Sequence, residues 1–226
     1  MHVTEQGPDT APAPAKGRRS RARARAAIAI GILAWVAGVA WGLQKIETYS
    51  STPGIAAEAP AKWPGSALVT PRPGRSTLVM FIHPQCSCTR ASLEELKTIL
   101  QRTHGAVSAW VVVLKPGDMN DAWSDSGTSK TARSLSGVTV VMDDNGTEAD
   151  RFGALTSGHT VLYSSAGTLE FSGGITAARG HVGENSGEQS VLSLVATGKS
   201  DSSSHEVYGC GLHDPEPRAS QDGLAP

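Results

Sequence analysis

From Thr77 to Lys97 the chain reads Thr-Leu-Val-Met-Phe-Ile-His-Pro-Gln-Cys-Ser-Cys-Thr-Arg-Ala-Ser-Leu-Glu-Glu-Leu-Lys. Residues 78–82 form an unbroken apolar run of strand length. Such a run belongs inside a sheet that is covered on both faces. It stops at His83-Pro84. Cys86 and Cys88 follow one residue apart, and a helical pattern then begins, with Leu93, Leu96, Ile99 and Leu100 on one face. Any fold that accepts this stretch must place two cysteines at a strand-to-helix junction. The free N–H groups and partial positive charge of a helix start favour a thiolate over a thiol. This is a location for sulfur chemistry, either redox or metal binding.

The rest of the core follows the same alternation. Residues 107–114 are a second continuous apolar run, closed by Lys115-Pro-Gly117. Residues 119–135 are polar, with Ala122, Trp123, Ala132 and Leu135, and predict a weak, exposed helix. Residues 138–142 are a third strand, followed by the turn Asp143-Asp-Asn-Gly146. A short helix fits within 147–155, with Thr147 as its cap. Residues 160–163 and 168–171 flank Ser164-Ser-Ala-Gly167 as a hairpin. A glycine-rich loop at 172–183 leads to a last helix over 188–197. The order predicts an α/β domain with a mixed sheet flanked by helices.

The N-terminal third is different. Residues 1–26 are polar and rich in Ala, Pro and Arg, and predict a disordered basic tail. Residues 27–43 carry no charge and come close to the roughly 20 residues that span a bilayer. Arg18, Arg19, Arg21, Arg23 and Arg25 stand just before them, so the positive-inside rule leaves the N-terminus in the cytoplasm. Everything after Gln44 then faces the periplasm or cell exterior. A cleaved signal peptide is the competing reading. The apolar run is long for one, and Ala57-Glu-Ala59 is followed by Pro60, so a single-pass anchor in the cytoplasmic membrane is favoured. Residues 44–64 read as a linker, with a short edge strand at 67–70. Domain boundaries are then a tail at 1–26, an anchor at 27–43, a linker at 44–64, the folded domain at 65–198 and a flexible tail at 199–226. Within that last tail, residues 207–212 (Val-Tyr-Gly-Cys-Gly-Leu) are an apolar island suited to docking on the domain.

With the cysteine pair directly after the first core strand, the turn, short helix and hairpin in that order, and the closing helix, residues 65–198 resemble the thioredoxin-like superfamily. More narrowly, residues 83–92, 152–159, 173–181 and 207–212 resemble a family of membrane-anchored bacterial proteins labelled RedB-like. The resemblance implies a thioredoxin-like mixed sheet behind one transmembrane helix. Two features depart from the thioredoxin pattern. The chain has Cys86-Ser87-Cys88 where a thioredoxin has Cys-x-x-Cys. It has Ser157-Gly158-His159 where a thioredoxin has a cis-proline opposite the cysteines.

Within a regular helix the side chains of residues i and i+2 point about 200° apart, so a disulfide cannot close there. Cys86 must lie before the helix if it is to bond Cys88, and the small ring would be strained and oxidising. Cys86, nearer the turn, is expected to be the nucleophile, with Cys88 resolving. Cys210, if docked near Cys86, can form a mixed disulfide or complete a metal site. His159 joins the candidate set because the fold implied by the resemblance sets its loop opposite the helix start. The expected catalytic group is therefore Cys86, Cys88, His159 and Cys210. In an alternative use, Cys86, Cys88 and His159 suit copper or zinc; the redox use requires no cofactor. Arg179 and His181 in the glycine-rich loop allow two readings. Arg179 pairs with Asp143, Asp144 or Glu184 beside a solvated His181, or the loop is a lid that brings Arg179 to the thiolates.

The net charge of −1 indicates no polyanionic partner, and the arginine cluster reads as membrane orientation, not nucleic-acid binding. Three cysteines are too few for a disulfide scaffold. The chain lacks a phosphate-binding Gly-rich loop ending in Lys-Ser/Thr, a His-Glu-x-x-His motif and a Gly-x-Ser-x-Gly motif. The expected partners are the membrane and a protein thiol or disulfide. A non-catalytic interaction module on the same scaffold is the remaining class.

Overall fold

A computed structural model describes residues 16–55, 58–65, 68–117 and 119–213. The chain divides into two compact units between Glu47 and Thr48. α1 (Lys16–Ser51), which makes up the described part of the first unit and ends four residues beyond it, is a helix 36 residues long, extending past both ends of the uncharged run. Residues 16–26 are therefore helical, not disordered, and 44–51 are helical, not linker. From Arg18 to Ile30 there is neither proline nor glycine, and Arg, Ala and Ile sustain a helix; Pro14 and Pro53 bracket it. Ile28, Ile30, Leu33, Trp35 and Trp41 are all exposed, so the helix is apolar all round, and it is long and apolar enough to cross a membrane. Residues 1–15 of the expected basic tail lie outside the described residues.

The second unit is built on a six-stranded sheet. Its elements are β1 (Ser76–Ile82), α2 (Thr89–Thr103), β2 (Val107–Lys115), α3 (Asp121–Ser124), α4 (Gly127–Ser134), β3 (Val138–Asp144), α5 (Thr147–Arg151), β4 (His159–Tyr163), β5 (Leu169–Gly173), α6 (Ser186–Thr197) and β6 (Ser204–His205). The strand order is β3-β2-β1-β4-β5-β6. β1, β2 and β3 are parallel, β4 is antiparallel to β1 and β5, and β6 runs parallel to β5. This is a thioredoxin-like mixed sheet flanked by helices.

The unbroken apolar runs are explained by two cores. Leu78, Met80 and Ile82 pack with Leu93, Leu96 and Ile99 of α2 and Val191 of α6. Val79 and Phe81, on the opposite face, pack with Phe152, Val161, Tyr163 and Leu212. Both faces are covered, so alternation with polar residues has no place in β1.

Local details depart from the sequence expectations where long-range pairing decides them. Part of the expected linker is bound to the hairpin: Trp63 N–H donates to the Gly167 carbonyl at 2.8 Å, and Leu169 N–H to the Ala61 carbonyl at 3.0 Å. Trp63 also packs edge-on against Phe152 and Tyr163. Residues 68–70 form no strand; Val69 is buried instead, and Ala67 lies outside the described residues. The polar segment at 119–135 holds two short helices, α3 and α4. Thr147 does not cap α5. The Asp143 carboxylate does, accepting the N–H groups of Glu148 and Ala149 at 2.8 and 2.9 Å. In the expected flexible tail, β6 adds to the sheet, and residues 214–226 lie outside the described residues.

Candidate functional site

β1 delivers its end to the site. His83 N–H donates to the Ser157 hydroxyl at 2.8 Å, and Pro84 turns the chain. Cys86 N–H donates to the His83 carbonyl at 3.0 Å, so Cys86 sits in the turn before α2, with Cys88 at the N-cap position. The expectation that Cys86 precedes the helix is met by this backbone. Although nearer the turn, Cys86 is the more buried of the pair. Cys86 is 2% exposed and Cys88 8%. All three cysteines are free thiols.

The cover over Cys86 is the apolar island of the tail. Ser157 N–H donates to the Cys210 carbonyl at 2.8 Å, and Leu212 N–H to the Leu155 carbonyl at 2.9 Å. Gly211 bridges to Thr156. Leu212 is 2% exposed within the second core. Gly209 lies so close to the Ser157 carbonyl that a Cβ there would stand 1.9 Å from its oxygen. Only glycine fits at that point. This packing brings Cys210 onto Cys86.

The electrostatics of the three thiols diverge. Burial pushes Cys86 up, but hydrogen bonds from the Cys210 and Thr89 side chains and from the backbone of both outweigh it, bringing Cys86 down to about 7. Cys88 is pushed up by burial and by the neighbouring Cys86 charge, partly offset by Arg179. Burial and the Cys86 contact push Cys210 up to about 12. Cys86 is thus the thiolate of the cluster. Thr89 is supported in turn by Ser157, whose hydroxyl lies 2.8 Å from its own. Ser157 accepts from His83 N–H, so with its proton on Thr89, and that of Thr89 on Cys86, a single donor chain ends on the sulfur. Thr89 and Ser157 were not foreseen from sequence. The retrospective signal is a hydroxyl residue directly after the Cys-x-Cys and another in the loop that must face it.

His159 is placed elsewhere. It shares a sheet face with Val161 and Tyr163, across from Phe81, which is the face away from α2. Its Nε2 lies 2.8 Å from the Ser172 hydroxyl, its Nδ1 is buried without a partner, and burial lowers its pKa to about 4. It is a neutral ring turned to Ser172. The residues of its loop that meet α2 are Ser157 and Gly158. Gly158 has φ 93°, and a Cβ there would approach the Ser92 hydroxyl to 2.9 Å. Among the described residues, no group of three or more His, Cys, Asp or Glu side chains is placed to hold a metal ion.

Among the described residues, Arg179 pairs with carbonyls and not with acids. Its Nη1 donates to Gly209 and its Nε to Thr52 at 3.2 Å, and it lies over the Tyr49 ring. The glycine-rich loop therefore clamps the docked tail, and the Arg179 charge acts on Cys88 and Cys210. His181 is exposed. Beside the cysteine turn, at the carboxyl ends of the parallel strands, His83, Leu114, Met119, Trp123 and Leu212 line a cavity of about 220 Å3.

No protein-family model matches the chain, and no curated protein sequence matches it. Solved structures of the same fold do. A hypothetical protein from Sinorhizobium meliloti is 16% identical, with 72% of this chain and 97% of that one aligned at a TM-score of 0.53. An uncharacterized conserved protein from Geobacillus kaustophilus is 15% identical, over 75% of this chain and 95% of that one, at 0.52. A secreted Mycobacterium tuberculosis disulfide oxidoreductase aligns over 55% of this chain and 82% of its own, 18% identical, at a TM-score of 0.40, too slight an overlap to inform activity.

Proposed function

We propose that this chain is a membrane-anchored thiol–disulfide oxidoreductase of the periplasm or cell exterior, with the Cys86 thiolate as nucleophile and a protein thiol or disulfide as substrate. The observation that carries the reading is the donor set on Cys86. Two hydroxyl or thiol groups and two backbone N–H groups converge on one sulfur at the start of α2 and hold it near half ionised at neutral pH. A buried cysteine with only a packing role would be a protonated small hydrophobe. The Cys86-Ser87-Cys88 pair and the RedB-like resemblance agree with this assignment. The copper or zinc alternative has less support, since the His159 ring is engaged by Ser172.

Thiol–disulfide exchange begins with the thiolate attacking along the S–S axis, so its rate follows the ionised fraction. The test is the rate of iodoacetamide alkylation of Cys86 in the reduced protein against pH, read by peptide mass. A midpoint near 7, together with exchange against glutathione disulfide, supports the reading. A midpoint in the ordinary thiol range with no exchange removes it.

A further inference from the structure

Thiol–disulfide exchange at Cys86 needs a second thiol to release the bound substrate. We infer that Cys210, carried by the docked segment at 207–212, is the resolving thiol, so that the working couple is Cys86–Cys210 and Cys88 stands outside it. This role for Cys210 rests on the oxidoreductase activity proposed above.

Placement is the first argument. Ser157 N–H donates to the Cys210 carbonyl at 2.8 Å, and the Ser157 hydroxyl lies 2.8 Å from that of Thr89 at the start of α2, so Cys210 is packed beside the cysteine turn, where its thiol and that of Cys86 act on one another electrostatically. The segment that carries Cys210 is held on both sides. Ser157 and Leu155 bind its backbone, Leu212 anchors it in the core, and Arg179 holds the Gly209 carbonyl from the opposite side. Gly54 N–H also donates to the Val207 carbonyl at 2.8 Å.

The second argument concerns Cys88. It is one residue from Cys86 and interacts with it electrostatically, but its backbone is helical, φ −65° and ψ −27°, at the N-cap of α2. Bonding it to Cys86 would draw together two side chains one residue apart. That would distort the turn in which Thr89 N–H donates to Cys86 and Ala91 N–H to Cys88. Cys210 lies on a separate segment, which can adjust to disulfide geometry without disturbing the helix start.

The third argument is access. Cys86 is 2% exposed beneath the docked segment, so a substrate sulfur reaches it only when residues 207–212 lift. Their return delivers the resolving thiol. In the first step the Cys86 thiolate attacks one sulfur of a substrate disulfide R–S–S–R′. The substrate S–S bond breaks, a Cys86–S–S–R bond forms, and R′S⁻ leaves to take a proton from water. In the second step Cys210 gives its proton to water and attacks the Cys86 sulfur. RS⁻ leaves, and the Cys86–Cys210 disulfide forms. Two electrons pass from the cysteine pair to the substrate; the reverse sequence oxidises a substrate dithiol. Burial is the main cause that holds Cys210 protonated; once Cys86 is in the mixed disulfide its charge no longer adds to that, while Arg179 still favours the Cys210 thiolate.

The experiment uses the full-length protein in detergent, equilibrated with reduced and oxidised glutathione, acid-quenched, alkylated and mapped by peptide mass. Wild type and Cys88→Ser are expected to yield the same Cys86–Cys210 disulfide. Cys210→Ser is expected to stop at a Cys86–glutathione mixed disulfide. A Cys86–Cys88 bond in wild type, or an intramolecular disulfide in Cys210→Ser formed as readily as in wild type, overturns the inference and leaves the redox function standing. Absence of any exchange with glutathione in wild type removes the function itself, and the inference with it.

Discussion

Burial alone would keep Cys86 protonated; its sulfur ionises near neutrality because donors from Cys210 and Thr89 outweigh the loss of water. Thr89→Val keeps the shape of the side chain and removes one charge-assisted donor. A rise in the Cys86 pKa of about one unit is expected from the strength of such a bond. Alkylation at neutral pH should then slow roughly five-fold, the drop in thiolate population for that rise. An unchanged rate would show that the Thr89 hydroxyl does not serve the sulfur. Ionisation also links to stability. Cys86 titrates at about 7 when folded, whereas an unfolded thiol titrates near 8.5. Between these values the unfolded chain binds more protons. Stability therefore rises with pH across the window and is lost as pH falls through the folded value. Cys88 and Cys210, both raised, have the opposite effect above the ordinary thiol range, where the unfolded chain releases protons that they retain. The reduced protein should gain on the order of 1–2 kcal/mol over a Cys86→Ser variant between about pH 6 and pH 8.5. Thermal melts of both proteins across that range measure it, and a constant difference between them would count against a depressed thiol.

The docked segment is the element on which the site depends. Gly209→Ala places a Cβ 1.9 Å from the Ser157 carbonyl, so the segment must shift and carry Cys210 away from Cys86. Two donors then leave the sulfur, and the midpoint of Cys86 alkylation should move up toward that of an ordinary thiol. Loss of local packing should cost about 1–3 kcal/mol. Hydrogen exchange should show the change at residues 207–212 while β1 and β2 keep their protection. A variant with the wild-type midpoint would mean that Cys210 has no hold on Cys86. Much of the fold was legible because it rests on local pattern. The run at 78–82, and that at 107–114 apart from Ser108, are apolar because α2 and α6 cover one face of the sheet and α5 with Phe152 the other. The pairing of residues 61–63 with 167–169 left no such mark, because a short Lys-Trp segment among prolines has no strand periodicity and is held by long-range contacts, backbone bonds to the hairpin with Lys62 on Thr168 and Trp63 against Tyr163. Within the site, the cysteines announced themselves by spacing. Thr89 and Ser157 did not, since hydroxyl residues are common and only the approach of two distant segments gives these two a role. His159 misled because its position in the sequence suggested the helix start, whereas strand alternation turns its ring to the opposite face.

At the scale of the whole molecule, chemistry and location depend on one another. A pair of thiols is useful as an oxidising or reducing couple where disulfides persist, outside the cytoplasm. In the function proposed above, α1, long and apolar enough to cross a membrane, would carry the domain to that side. Its length of 36 residues gives about 54 Å of helix, well beyond the roughly 30 Å of a hydrocarbon core, so its arginine-bearing first turns can stay in the aqueous phase. Arg21, Arg23 and Arg25 precede the uncharged run, while Lys45 and Glu47 come after it. By the positive-inside rule, this bias in Lys and Arg predicts an N-terminus inside. Two measurements test this arrangement. In isolated membranes, the peptide containing residues 27–43 should remain attached to the mature protein; its loss would indicate a cleaved signal peptide. In spheroplasts, added protease should degrade the domain from Thr48 onward and spare a short arginine-rich fragment. Replacing Arg18, Arg19, Arg21, Arg23 and Arg25 with glutamine should weaken the bias and leave a larger share of the domain protected inside. An unchanged share would mean that another feature orients the chain.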